Sequence, residues 1–294
     1  MLNPPLSLLS YDLLNYIVDH VAELPFSESD IYNLSITDRA FTRSCQAYIF
    51  KELRLGHGHG TIGMIVRNLT KIRNIMNEEP SIANRVRAIH LTVADVQNKW
   101  LFNDPNFMTI IQLLGKSLMP PHKLHLSGQW YPFTIEDPIF VAGWLRQSFF
   151  SQTLTVLNLS HCKNIPLSFF LVCPNLREVY LDDVEVFDST DVEYPDTQCS
   201  GGELPALKSL IYRYSENLVK QMITAPSRFP MTVVDWSKLR VLVVYPQDKN
   251  GMMYLQLILD AACNTLEELF LTYDTDLQVL GWGITGKMWP FLSI

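Results

Sequence analysis

A short phrase returns along this chain: a leucine-type residue, two others, a second leucine-type residue, one other, then a third. It occurs as Leu154, Leu157, Leu159; as Leu176, Val179, Leu181; as Leu207, Leu210, Tyr212; as Leu239, Leu242, Val244; and as Leu266, Leu269, Leu271. Successive copies begin 22, 31, 32 and 27 residues apart, which suits a drifting structural repeat with variable loops and excludes a strict tandem duplication. Residues two apart in a strand face the same way, so Leu157 and Leu159 share a buried side while Asn158 faces out. One short strand cannot bury that side alone. Stacked copies form a parallel sheet, and the stretches between strands must cover it, which is the logic of a solenoid.

Several of those stretches have helical periodicity. Leu255, Ile258, Leu259 and Ala262 form one stripe within 252–262, and 222–223, 107–118 and 140–150 follow the same pattern. Two fainter copies, Val86, Ile89, Leu91 and the pair Leu124, Leu126, extend the register upstream. After Leu271 the chain ends in apolar residues with no polar capping repeat, so either 289–294 folds back as a cap or the sequence is a shortened product.

A hydrophobic content of 48% over 294 residues supports an elongated core plus a small module. No apolar run approaches the roughly 18 residues of a membrane span, and the leucine-rich start has no basic residue ahead of it. Cys45, Cys162, Cys173, Cys199 and Cys263 show no disulfide or metal spacing, which favours reduced thiols. The expected setting is intracellular, cytoplasmic or nuclear, with no membrane and no cofactor.

The net charge of −7 is concentrated in one place. Between Asp182 and Glu203 lie eight of the chain's 30 acids and no Lys or Arg; the remaining 22 acids face 23 bases. That balance argues against a nucleic-acid partner and marks 182–203 as a solvated acidic loop between repeats.

The first fifty residues differ in texture. Leu13, Leu14, Ile17, Val18 and Val21 make an amphipathic stripe in a helix that Ser10 can cap, and Ser27 or Ser29 opens a second helix through Ile31 and Leu34. Ala40, Phe41, Cys45, Ile49 and Phe50 continue the apolar pattern to the strand-like Leu53-Arg54-Leu55. Three short helices bury little surface and are expected to leave an apolar face for a partner.

The run Leu9-Ser10-Tyr11-Asp12-Leu13-Leu14 with Ile17 and Val21, followed by Leu34-Ser35-Ile36-Thr37-Asp38-Arg39-Ala40-Phe41 and Tyr48-Ile49-Phe50, resembles an F-box. Its continuation through Leu53-Arg54-Leu55, a helix and Val86-Arg87-Ala88-Ile89-His90-Leu91 resembles fungal F-box proteins with irregular leucine-rich repeats. The likeness spans the chain in architecture and residues 9–55 in motif. It implies that Leu9, Leu13, Leu14 and Ile17 on the first helix, and Leu34, Arg39, Phe41, Ile49 and Phe50 on the third, meet a Skp-type adaptor of a cullin-RING ubiquitin ligase. The repeats would hold a protein substrate. Two positions depart from the family pattern: Ser10 stands where proline is usual, and Asp38 stands where a cysteine or other small apolar residue is usual. The alternative for the apolar residues is that they close the module's own core.

Three other motifs were weighed. Gly58-His59-Gly60-Thr61-Ile62-Gly63 matches a dinucleotide loop, but the first downstream acid, Asp95, is 37 residues past Gly58 where about 20 is required. His57 and His59 alternate as a metal pair would, without a third ligand. His161 next to Cys162 suggests a thiol and its base, yet adjacent side chains point apart; Cys162 better fits the buried residue that satisfies backbone groups just past a repeat strand. No carboxylate pair, catalytic serine signature or complete phosphate loop is present.

The expected architecture is therefore α/β: an F-box-like helical module at 1–55, a linker and helix at 56–85, and an irregular leucine-rich-repeat solenoid at 86–294. The expected function is substrate recognition in a Skp-cullin-F-box ligase, with no catalytic residue and no metal in this chain. A leucine-rich scaffold without ligase association is the alternative. Substrate contacts are expected at exposed positions between the buried leucines, namely Asn158, Glu178, Tyr180, Arg213 and Glu268.

Overall fold

The structure is a computed structural model that describes residues 9–24, 28–55, 62–93, 99–128, 133–135, 137–187, 204–224, 232–246, 249–272 and 292–293. Three helices come first: α1 (Tyr11–Ala22), α2 (Glu28–Thr37) and α3 (Arg39–Ile49). Then strands and helices alternate: β1 (Glu52–Leu55), α4 (Ile62–Glu78), β2 (Ala88–Val93), α5 (Lys99–Asn103), α6 (Pro105–Gly115), β3 (Lys123–Gly128), β4 (Phe133–Thr134), α7 (Pro138–Gln147), α8 (Phe150–Thr153) and β5 (Val156–Ile165). There follow α9 (Ser168–Leu171), β6 (Glu178–Val186), β7 (Ser209–Arg213), α10 (Glu216–Ile223), β8 (Val241–Tyr245), α11 (Lys249–Ala262), β9 (Glu268–Leu271) and β10 (Leu292–Ser293).

The strands form one sheet in the order β1-β2-β3-β5-β6-β7-β8-β9-β10, with β4 paired to β5. All pairings are parallel except β9 with β10, where the chain reverses. The register repeats the sequence phrase. Leu53, Ile89, Leu124, Leu157, Val179, Leu210, Leu242 and Leu269 share one row; Leu55, Leu91, Leu126, Leu159, Leu181, Tyr212, Val244 and Leu271 share the next. Both rows pack into one continuous core with the helices, which is why the spacing recurs while loop length drifts.

The first residue of each phrase turns inward just before its strand, and the carbonyl of the residue after it accepts two amides from the next copy. Lys51, Arg87, His122, Thr155, Arg177, Lys208 and Arg240 all do this, at 2.7 to 3.3 Å. Each repeat thereby satisfies backbone groups that a strand end would leave bare. After the first five residues of β5, β6 and β7 the chain steps through the left-handed region at equivalent places: His161 (φ 52°), Asp183 (φ 54°) and Tyr214 (φ 53°), each following a residue of the row Ser160, Asp182, Arg213. The residue after each turn is buried. Cys162 donates its thiol to the Leu126 carbonyl at 3.4 Å, and Ser215 Oγ accepts the Val184 amide at 3.0 Å while donating to the Arg213 carbonyl at 2.8 Å.

The covering helices begin where capping chemistry starts them. Asp104 accepts the Asn106 and Phe107 amides at 2.8 and 2.9 Å, and Asp137 accepts the Phe140 amide at 2.9 Å, each followed by proline in the first turn. The expected helix 107–118 is α6, 140–150 splits into α7 and α8, and 252–262 lies in α11 with Leu255, Ile258 and Ala262 buried.

Three expectations need correction. The sheet begins at Glu52, not at 86, since β1 pairs with β2, and the helix expected within 56–85 is α4, whose Leu69 and Met76 enter the sheet core. Asp182, Asp183 and Glu185, expected in an acidic loop, belong to β6, which runs to Val186; the rest of that expected loop, from 188 on, lies outside the described residues. Leu34 lies on α2, and Phe50 is the residue that closes α3.

Candidate functional site

The helical module has its own small core of Leu14, Val18, Ile31, Phe41 and Cys45, separate from the sheet core, with Leu9, Ile17, Leu34 and Ile49 packed partly buried against it. Ser10 caps α1 by accepting the Leu13 amide at 3.3 Å, and Asp38 caps α3 by accepting the Ala40 amide at 2.8 Å. Both positions that depart from the F-box pattern thus close helix starts, where an oxygen acceptor satisfies an otherwise bare amide. Ser44 donates to Asn15 at 2.6 Å and Tyr48 to Asp19 at 2.6 Å, tying α3 to α1. That bond to Asp19, with burial second, pushes the Tyr48 hydroxyl up to about 12.

Burial divides the residues that the F-box likeness assigns to docking. Leu14 and Phe41 face inward at 5% and 3% exposure, so they build the module instead of meeting a partner. Leu9, Ile17, Leu34, Ile49 and Phe50 are half-buried, while Leu13 and Arg39 are exposed. The sequence stripe did not single out Tyr11, Tyr16, Tyr32 and Ile36, which are exposed large apolar side chains; Tyr16 and Ile36 reach 69% and 68%. Leu13 and Tyr16 stand three apart on α1, and Tyr32 and Ile36 four apart on α2, so each pair shares a helix face. The signal for them was available: large apolar residues at positions off the stripe that closes the core.

The second surface is the side of the sheet turned away from the core. Its central row runs Arg54, His90, His125, Asn158, Tyr180, Ile211, Val243 and Phe270. The predicted Asn158 and Tyr180 are neighbours in it, Glu178 and Glu268 lie one row toward the strand starts, and Arg213 lies one row toward the strand ends. The His90 and His125 rings lie 5.0 Å apart at a tilt of 52°, and His90 reaches Glu52 at 3.5 Å. Burial, reinforced by His90, lowers His125 to about 4, so it is neutral at physiological pH.

Asp182, Asp183 and Glu185 of β6 are paired, which the sequence did not indicate. Arg213 makes a two-pronged bond to Asp182 at 2.8 Å on each side and lies over the Tyr214 ring at 5.2 Å. His161 meets Asp183 at 3.0 Å and Lys163 meets Glu185 at 2.7 Å. Arg213 is therefore held in place and its charge is matched.

Cys162 and Cys173 are buried, and desolvation pushes both thiols up to about 12; His161 is engaged with Asp183. The pair Cys162–His161 is thus not an activated nucleophile. Among the described residues no group of His, Cys, Asp and Glu is placed to hold a metal ion, and no helix is long and apolar enough to cross a membrane. The glycine motif's residues 58–61, with His57 and His59, and the acids of 188–203 lie outside the described residues; Gly63 is in α4. No protein-family model matches the chain, and no curated protein matches it.

Proposed function

We propose that this chain is an intracellular substrate-recognition subunit of a Skp-cullin-F-box type ubiquitin ligase, with an F-box-like module at its N-terminus and an irregular leucine-rich-repeat array behind it. The observation that carries this is the module itself: three short helices close a five-residue core yet present Tyr11, Leu13, Tyr16, Tyr32 and Ile36 to solvent. Large apolar groups displayed on so thin a unit suit a protein partner. Adaptor docking fixes one end, the open side of the sheet holds a substrate, and proximity of the ubiquitin-loaded enzyme to substrate lysines does the rest. The chain itself then needs neither catalytic residue nor cofactor.

A scaffold without ligase association is the competing function. It is supported by the bond from Arg85 to Gln46 at 2.6 Å and by the Lys51 carbonyl accepting from Arg87 and Ala88, which use the module to cap the first strand. Coexpression with a Skp-type adaptor separates the two. Copurification that Leu13→Asp with Tyr16→Asp abolishes, while Tyr180→Asp on the sheet leaves it intact, supports the ligase subunit. Absence of wild-type copurification leaves the scaffold.

A further inference from the structure

The second position of each sequence phrase lines up along one edge of the sheet. Lys51, Arg87, His122, Thr155, Arg177, Lys208, Arg240 and Glu267 each precede a strand, and each donates its amide to the carbonyl of the one before it, at 2.7 to 3.0 Å from Arg87 onward. They therefore occupy one structural position repeated along the array. Five of the eight are Lys or Arg, a sixth is His122, and Lys123 follows it.

Among the described residues these cations lack acidic partners nearly throughout. Arg87 donates to the carbonyls of Asn84, Val86 and Met119, and Arg177 to that of Ala206, bonds that orient a guanidinium without neutralising it. Among the described residues Lys51, Lys123 and Lys208 make no ion pair, and Arg240 pairs with Glu267 at 3.4 Å with both side chains 61% exposed. The acids nearest this edge are Glu52, which meets Arg54 and His90, and the exposed Glu178, Glu267 and Glu268. By contrast Asp182, Asp183 and Glu185, toward the other end of β6, are each matched by a base. Burial, then the Lys123 and Arg87 charges, lower His122 from its ordinary range, against an opposing pull from Glu178.

From β1 to β8 the edge crosses six interstrand steps of about 4.8 Å, about 29 Å in all, the length of roughly nine extended residues. The row beside it on the open side is Glu52, Ala88, Lys123, Val156, Glu178, Ser209 and Val241, without an aromatic side chain. Strips that bind single-stranded nucleic acid stack successive bases on aromatic rings, and the edge and the row beside it carry no Phe, Tyr or Trp.

We propose that this basic edge is a docking surface for an extended acidic peptide segment of a protein partner. It deepens the substrate-binding half of the proposed function and rests on that half alone, since it requires no adaptor. Outside 182–203 the chain's 22 acids and 23 bases nearly balance, so this edge is a local positive field on a nearly neutral background, which orients an acidic segment along the row.

The test is fluorescence anisotropy of the full chain with a labelled ten-residue peptide alternating Glu and Ser, against its Gln-for-Glu counterpart and a ten-nucleotide oligo-dT, at low and at physiological salt. The acidic peptide should bind, the Gln peptide should bind at least tenfold more weakly, and salt should weaken the acidic peptide alone. Lys51→Glu, Lys123→Glu and Lys208→Glu together should reduce binding at least tenfold, and Arg67→Glu with Lys71→Glu, both exposed on α4 and outside the row, should leave it unchanged. If circular dichroism shows the charge-reversed triple variant unfolded, the Lys→Gln triple variant decides on the same criterion. Equal binding of both peptides, equal loss in the off-edge variant, or tighter binding of the oligonucleotide overturns the proposal. Adaptor copurification reads the other half of the function independently.

Discussion

Truncating Leu210 tests which side of the sheet holds the protein together. Leu210 is wholly buried between its register mates Val179 and Leu242, and Leu210→Ala removes three carbons from that row. At about 0.8 kcal/mol for each carbon the transfer loss is about 2.4 kcal/mol, and the cavity left between rigid neighbours raises it to about 3–5 kcal/mol. Against the 5–15 kcal/mol typical of a folded domain that is a large share. Ile211 is the next residue, on the open side and half-exposed, and Ile211→Ala also removes three carbons. Its cost should stay at or below about 1 kcal/mol, the scale of strand preference. Urea unfolding followed by tryptophan fluorescence and circular dichroism measures both, with the denaturant slope unchanged. Equal costs for the two variants, or a Leu210→Ala cost below about 1 kcal/mol, would refute the one-sided core.

Other consequences follow from the same geometry. Ser10→Ala and Asp38→Ala should each destabilise the chain by about 1 kcal/mol, with Ser→Asp at position 10 restoring the cap, as read by thermal unfolding. Asp182→Asn should cost about 1–3 kcal/mol, because Asp182 is nearly buried and the amide keeps one acceptor but loses the charge and turns an NH2 donor toward the other guanidinium N–H; Lys163→Ala, whose partner Glu185 is exposed, should cost under about 1 kcal/mol in the same unfolding assay. His125 titrates near 4 when folded and near 6.5 when unfolded, so between those values the unfolded chain binds more protons. Its stability contribution is therefore full above pH 6.5 and declines as pH falls toward 4, and His125→Asn should flatten that part of a stability-versus-pH curve. With alkylating reagent at pH 8, Cys263 should label in the native protein while Cys45, Cys162 and Cys173 stay protected until unfolding.

The repeat was legible because its chemistry is local. A period of two buries Leu157 with Leu159, and the same spacing elsewhere forces the same register, so even Leu53 and Leu55 can be placed once the sheet is drawn. Asp182, Asp183 and Glu185 misled because acids seldom favour strands, and their partners Arg213, His161 and Lys163 come from neighbouring repeats that only the register brings alongside. The basic edge was hidden for the same reason: Lys51 and Arg240 read as scattered bases in a nearly neutral background until seven strands align them. In the helical module an amphipathic stripe marks Leu14 and Phe41 as apolar contacts without saying whether the contact is a sister helix or another protein. The cap at Ser10 was easier, since a side-chain oxygen next to a helix start has a short-range role; Asp38, which the sequence marks only as a departure from the F-box pattern, does the same for α3.

The proposed function is tested most directly by amide hydrogen exchange of the purified chain with and without a purified Skp-type adaptor. The account predicts protection of Tyr11–Ala22 and Glu28–Thr37 on adding adaptor, with β6 to β8 unchanged and free for substrate. Protection confined to the sheet, or no change anywhere at saturating adaptor, would contradict it.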